Sequence, residues 1–208
     1  MNFLELINKS TTLKCFFLDF FMLNFYYITM KKLEIKIATE QNASAIKNII
    51  NKMYGIEYET RSVDKISQAI KNNLEFFALA YLGNQIIGFA GASKNKDYLD
   101  VAPNTVAVID YIYIEESNRD LITAYQLIKF LFKQLIDNGY TQALLQVQTF
   151  NKQRFLHYAL SDKNIIKEFP CSYREGYNDQ ILLIKDLKEV YNQPLTTLLK
   201  KCKHYMNF

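Results

Sequence analysis

Several places in this sequence bring together residue types that can do chemistry. Asp110 stands in the apolar run Ile109-Asp110-Tyr111-Ile112-Tyr113-Ile114, and a carboxylate among apolar neighbours is suited to taking a proton. Arg119 comes five residues after Ile114 and opens the stretch Arg119-Asp120-Leu121-Ile122-Thr123-Ala124, which leads into a long apolar-striped segment. A cation at a helix start suits anionic groups, because the first backbone N–H groups of a helix have no partner within it. Asn151 and Tyr158 lie seven residues apart in a segment with helical character, and a phenol can give a proton to a basic leaving group. Glu57 and Glu59 fall between two helical segments and can attract a cation, although solvated loop charges look the same in sequence. His157 adjoins Tyr158, but neighbours on a helix face different ways, so a structural or solvent-facing histidine is the plainer reading. Cys171 with His157 would make a thiol nucleophile only with a third, orienting group, and none is evident.

The elements that must position these residues follow from periodicity. Leu33, Ile35 and Ile37 alternate with Glu34 and Lys36 at strand period. Thr39 can cap a helix from Glu40 to Met53 with Ala45, Ile46, Ile49, Ile50 and Met53 on one face, ended by Gly55. Ser62 can cap a second helix, Val63 to about Asn72, with Ile66, Ala69 and Ile70 inside. Phe76 to Leu82 and Gln85 to Ala92 are apolar runs joined by Gly83-Asn84, a two-residue hairpin turn. A polar loop, Ser93 to Asn104, separates them from the strongest strand, Thr105 to Ile114. Asp120 to Asn138 predicts a long helix with Leu127, Ile128, Leu131, Leu135 and Ile136 as its stripe and Gly139 as its stop. Ala143 to Val147 predicts a buried strand, Asn151 to Leu160 a short helix, Ile181 to Ile184 a last strand and Leu195 to Tyr205 a terminal helix. The order β-α-α-β-β-β-α-β-α-β predicts an α/β domain with a mixed sheet: an antiparallel meander, then a strand–helix–strand crossover.

Composition bounds the function. At 208 residues, half of them apolar, the chain suits one domain with a substantial core. Its net charge of +4 comes from interspersed Lys and Glu without a basic stripe, which argues against a nucleic-acid partner. Cys15, Cys171 and Cys202 lack paired spacing, so neither a disulfide framework nor a zinc site is predicted; no metal and a reducing cytoplasm are the expectations. Cys15 to Met30 is apolar but interrupted by Asp19 and Asn24, has no small-residue cleavage site, and is too short to span a bilayer uninterrupted. Met30-Lys31-Lys32 leads straight into the first strand, which suggests an extension over residues 1–29 and a single domain over 30–208. An amphipathic helix in 1–29, for dimer or membrane contact, stays open beside that reading, although no membrane partner is expected.

The strand–turn–helix around Arg119 resembles that of the GCN5-related N-acetyltransferase (GNAT) superfamily. There the turn carries Arg/Gln-x-x-Gly-x-Gly/Ala; Arg119 and Ala124 fit, while Ile122 stands where the first glycine usually does. Asn151 and Tyr158 resemble the family's downstream Asn and Tyr at the same spacing, and the Gly-Phe that usually follows is missing around Ser161 to Ile165. The resemblance covers about residues 33 to 185. It implies a central, mostly antiparallel sheet flanked by helices, acetyl-CoA as co-substrate, a small-molecule or protein amine as acceptor, and homodimers as a common assembly.

The resemblance also implies roles. The helix-start amides from Arg119 through Asp120, Leu121, Ile122, Thr123 and Ala124 would cradle the coenzyme diphosphate. Ile122 keeps its N–H but tightens the approach, and Asp120 places a negative charge against the phosphates. The strand Ile112 to Ile114 would run beside the thioester, with backbone N–H groups at Ile112 and Tyr113 polarising its carbonyl, and Asn151 would lie against the coenzyme. Ile109-Asp110 resembles the Leu-Glu of polyamine acetyltransferases, whose glutamate is assigned as base; the alternative is that Asp110 begins a strand or pairs with a lysine. Asp110 shares strand parity with Ile112 and Ile114. Tyr158 would be the acid for the leaving thiolate, or a helix tyrosine that only packs. Glu57, Glu59 and Tyr111 fall where the family builds its acceptor pocket. Tyr111, Tyr113 and Phe155 suggest an apolar cleft that could take another acyl group. A protein of this fold without turnover, serving as a binding or regulatory module, is the competing function.

Overall fold

The computed structural model describes residues 33–54, 59–94, 105–149, 154–171 and 175–206. Glu57, Asn151, Cys15, the stretch 1–29, the proposed start at Met30 and most of the polar loop after Ser93 lie outside them. The strands are β1 (Leu33–Ile37), β2 (Glu75–Leu82), β3 (Gln85–Lys94), β4 (Val106–Ile114), β5 (Gln142–Gln148), β6 (Ile165–Pro170) and β7 (Asn178–Ile184). The helices are α1 (Ala43–Tyr54), α2 (Val63–Lys71), α3 (Leu121–Asp137), α4 (Arg154–Ser161), α5 (Leu187–Asn192) and α6 (Leu195–Met206). The strands form one sheet in the order β1-β2-β3-β4-β5-β7-β6, antiparallel throughout except for the parallel pair β4–β5.

Local chemistry accounts for most boundaries. Thr39 and Asn42 make a reciprocal capping box, and a 3-10 turn over Glu40–Asn42 precedes α1, so the α-helix begins three residues later than periodicity suggests. Ser62 caps α2 by accepting from the Lys65 amide. Gly83 takes φ +61° in the β2–β3 hairpin, a conformation that suits a residue without Cβ. α4 ends with Asp162 and Lys163 at φ +50° and +54°, so the left-handed reversal that glycine usually makes is formed here by two L-residues. Two elements were not anticipated. β6 is an edge strand whose register slips between Ile165 and Lys167, so no clean alternation marks it. α5 is six residues long and depends on Asp186 accepting from the Glu189 amide.

Packing divides the apolar residues by sheet face. α3 lies across β1 to β4 and buries Leu127, Leu131, Phe132 and Leu135 against Phe76, Ala78, Ala90 and Ala107. α1 and α2 cover the other face of β2 and β3 through Ile46, Ile50 and Ile66 against Phe77, Leu79 and Phe89. A third cluster joins Val106, Leu144 and Ile181, with Phe169 half-buried beside them.

The strand carrying Asp110 is irregular. Ala92 faces Ile109 across the ladder while Gly91 faces Tyr111, which makes Asp110 the extra residue of a β-bulge. Ala107 and Ile109 lie on the α3 face before the bulge, and Ile112 and Ile114 lie on it afterwards. Simple alternation along the whole strand therefore no longer fixes the face of Asp110, because the extra residue breaks the pattern between Ile109 and Tyr111. The same slip turns Tyr111 and Tyr113 toward α1 and α2, where Tyr111 stacks on Phe77 (centroids 6.4 Å, 21° between planes) and lies 5.6 Å from Phe89. Gly91 makes room for this stack: a Cβ there would stand 2.6 Å from the Phe77 ring. Gly91→Ala should lower the unfolding free energy by about 1–3 kcal/mol through overpacking, read as a lower urea midpoint at unchanged slope. An unchanged midpoint would mean that the ring has room to move.

Candidate functional site

β4 and β5 share only four register pairs, ending at Ile109–Leu145. Beyond this point β4 continues to Ile114 beside β3, and β5 continues to Gln148 beside β7. A bulge raises local twist, so its position at Asp110 coincides with the parting of the strands. The notch so formed has Asp110 to Ile114 on one wall and Gln146 to Gln148 on the other. Asp110 is exposed, whereas Ile112 is half-buried and Ile114 buried on the α3 face.

The head of α3 lies at the end of β4. Arg119 is exposed and donates from Nε to the carbonyl of Ile114 (3.0 Å), which ties the turn to the strand. Asp120 is the N-cap: Oδ1 accepts from the Thr123 amide (2.7 Å) and Oδ2 from the Thr123 hydroxyl (2.6 Å). The negative charge foreseen at this helix start is thus held in place by two hydrogen bonds. Leu121 and Ile122 are half-buried, while Thr123 and Ala124 are buried.

Tyr158 lies on the α3 side of the sheet, 5% exposed. Its hydroxyl donates to Oε1 of Gln180 on β7 (2.8 Å), and Gln180 faces Val147 across the β5–β7 ladder. Lys163 Nζ stands 5.4 Å from its ring centroid, and Tyr205 packs edge-on at 5.9 Å. Burial, chiefly, pushes the phenol pKa up; Arg154 opposes this and the Glu168 carboxylate adds to it. Tyr158 therefore stays protonated, as an acid must.

The acceptor-side expectations divide. Glu59 is 7% exposed, and both of its oxygens accept from Arg61, which also hydrogen-bonds Glu75. Its pairing with Arg61 holds its carboxyl below the usual range, and the two glutamates push the Arg61 pKa further up. Glu59 is accordingly a buried, paired charge rather than a solvated one, as periodicity and loop position could not reveal. Tyr111 and Tyr113 pack on the α1–α2 face and Phe155 on the α3 face, so these aromatics do not share one side of the sheet. Cys202 is buried and its thiol is pushed up to about 11, far from a thiolate. Among the described residues, no three His, Cys, Asp or Glu side chains converge as a metal site requires, and no helix is long and apolar enough to cross a membrane.

Sequence reasoning passed over Asp179. It is the second residue of β7, faces Gln148 of β5 and Phe169 of β6, is 4% exposed, and has no hydrogen-bond partner for Oδ1. The only signal was an Asp leading an apolar strand, which in sequence reads as a loop residue. Burial raises its carboxyl pKa. The charged form therefore costs the fold stability above the folded pKa, and this cost disappears below the unfolded value of about 4. Asp179→Asn should add about 1 kcal/mol of stability at pH 7, with the gain vanishing as pH falls toward 4, measured by urea unfolding across that range. A loss at pH 7 would mean that the carboxylate has a stabilising partner.

Comparisons with known proteins come to the same place. No curated protein matches the chain. Solved structures do: yncA from Salmonella typhimurium with its cofactor acetyl-CoA, at TM-score 0.57 and 10% identity over 74% of this chain and 93% of that one. An N-acetyltransferase from Staphylococcus aureus Mu50 is similar at TM-score 0.58 and 16% identity, over 75% and 99%. The aminoglycoside 6'-N-acetyltransferase from Enterococcus faecium is similar at 0.54 and 15%, over 74% and 97%. At such identities the likeness is one of fold. The sequence pattern of the acetyltransferase (GNAT) family matches residues 43–157, more than half of the chain and the span from α1 to Tyr158's neighbour. With its bulged, parting strands and the helix between them, the chain belongs to the GNAT acetyltransferase family.

Proposed function

We propose that this chain is an acetyl-CoA-dependent N-acetyltransferase whose acceptor is a primary amine, on a small molecule or on a protein. The observation that carries this reading is the parting of β4 from β5 after Ile109–Leu145, within a chain of the acetyltransferase family. A strand edge released from its neighbour needs other hydrogen-bonding partners, and the two amides of a pantetheine arm can supply them. Family membership and the acetyl-CoA held by yncA support the co-substrate.

Chemically, a thioester is already activated, so direct attack by an amine needs no covalent enzyme intermediate. An alkylammonium with a pKa of ~10 is only about one part in 10³ neutral at pH 7, so a base is useful. Asp110, exposed at the bulge, takes that proton directly or through water. The amine lone pair forms the N–C bond, the C–S pair leaves with sulfur, and the Tyr158 hydroxyl proton passes to that sulfur. Once bonded to carbon, the nitrogen gives up its surplus proton to solvent, and the proton collected by Asp110 restores the phenol through solvent. Backbone N–H groups at Ile112 and Tyr113 stabilise the charge on the carbonyl oxygen.

One observation favours a second reading, a non-catalytic binding or regulatory protein of this fold: Asp120 already occupies the Thr123 amide at the head of α3. Two experiments separate the readings. Tyr158→Phe should lower thiol release from acetyl-CoA with a panel of amines by roughly 10²-fold, leaving coenzyme affinity within twofold; an unchanged rate would remove Tyr158 from the mechanism. Asp120→Asn keeps a capping oxygen but removes the charge. It should tighten coenzyme A binding roughly three- to tenfold at low salt, less at high salt, by calorimetry. Absence of coenzyme binding in both forms would end the enzyme reading.

A further inference from the structure

The hydrogen bonds around Tyr158 form a directed chain that reaches the protein surface. Gln180 has an amide with two different ends. Its Nε2 donates to Oε2 of Glu168 (3.0 Å), on edge strand β6 directly across the ladder. The other Glu168 oxygen accepts from the side-chain amide of Asn178, so both oxygens of this carboxylate are held. A carboxylate only accepts, which commits the Gln180 nitrogen to it and turns Oε1 toward Tyr158. The phenol must then donate, as it does at 2.8 Å. Were the Gln180 amide reversed, its NH₂ would face the phenol and its carbonyl would face an anion, an arrangement that Glu168 disfavours.

We propose that Glu168 is a positioning residue for Tyr158: acting through Gln180, it fixes the phenol as a proton donor until a stronger acceptor forms beside it. The inference deepens, and rests on, the reading of Tyr158 as the acid. A neutral amide oxygen can hold the phenol proton but does not remove it. A departing thiolate is the better base, so the proton moves from the Tyr158 oxygen to sulfur only as the C–S bond breaks and its electron pair goes to sulfur. Glu168 itself touches neither substrate nor coenzyme in this arrangement.

The test compares Glu168→Gln, Glu168→Asp and the unaltered full chain. The Tyr158 phenol titration is read as the ultraviolet difference against Tyr158→Phe in each background, and needs no acceptor. The charged groups facing this phenol are Arg154 on its own helix, Lys163 over its ring and Glu168 on β6, with the Tyr205 phenol from α6. Only Glu168 changes. Its negative charge opposes phenolate formation, so Glu168→Gln should move the titration and the alkaline limb of kcat to lower pH. It should also cut kcat roughly tenfold, a part of what a general acid provides, with the KM for acetyl-CoA within twofold. Glu168→Asp should recover most of kcat. A phenol that titrates at the same pH in Glu168→Gln, with turnover still dependent on Tyr158, would overturn the inference alone. Full turnover in Tyr158→Phe would overturn the acid reading and this inference with it.

Discussion

Parallel strands hold together through evenly spaced hydrogen bonds, and β4 and β5 give these up after Ile109–Leu145. The proposed site depends on that release. The extra residue at Asp110 twists β4 away, while β5 stays committed to β7 through Gln148. An open notch in the middle of a seven-stranded sheet is unstable unless its flanks are firmly held. α3 supplies this on one face by bridging β1 to β4 with a continuous apolar stripe. On the other face, the stack of Phe77, Phe89 and Tyr111 beneath α1 and α2 anchors the bulged strand.

Polar groups around the notch are arranged in opposite senses. At the head of α3, Asp120 satisfies the helix start internally, which stabilises the fold and opposes an incoming anion. At β7, the Tyr158 phenol is kept protonated by burial and by a nearby carboxylate, a state suited to acid catalysis. Asp179 is a buried carboxylate with an oxygen left unsatisfied, a destabilising feature in a strand that otherwise packs well. Such local conflicts between stability and chemistry gather where a protein does its work.

The ion pairs behave differently. Arg61 with Glu59 and Glu75 joins the segment after α1 to the start of β2 with little exposed carboxylate. This cluster resembles a clamp more than a recognition site, because each charge already has an opposite neighbour. Neither Glu59 nor Glu75 is therefore placed to receive a further cation.

The sequence by itself determined what short-range physics can decide. Apolar periodicity placed α2, α3 and the β2–β3 hairpin within a few residues, and Ser62 through its side-chain cap and Gly83 through its positive φ marked boundaries of α2 and the hairpin. The spacing around Arg119 and Tyr158 pointed to the family. Tertiary structure alone decided which face each side chain takes after the bulge, since one inserted residue reverses alternation without changing composition. It also decided the partner of Tyr158 and the burial of Glu59 and Asp179. Gln180 lies on a strand distant in the chain from Tyr158, and no local pattern encodes a contact that forms only when the sheet closes.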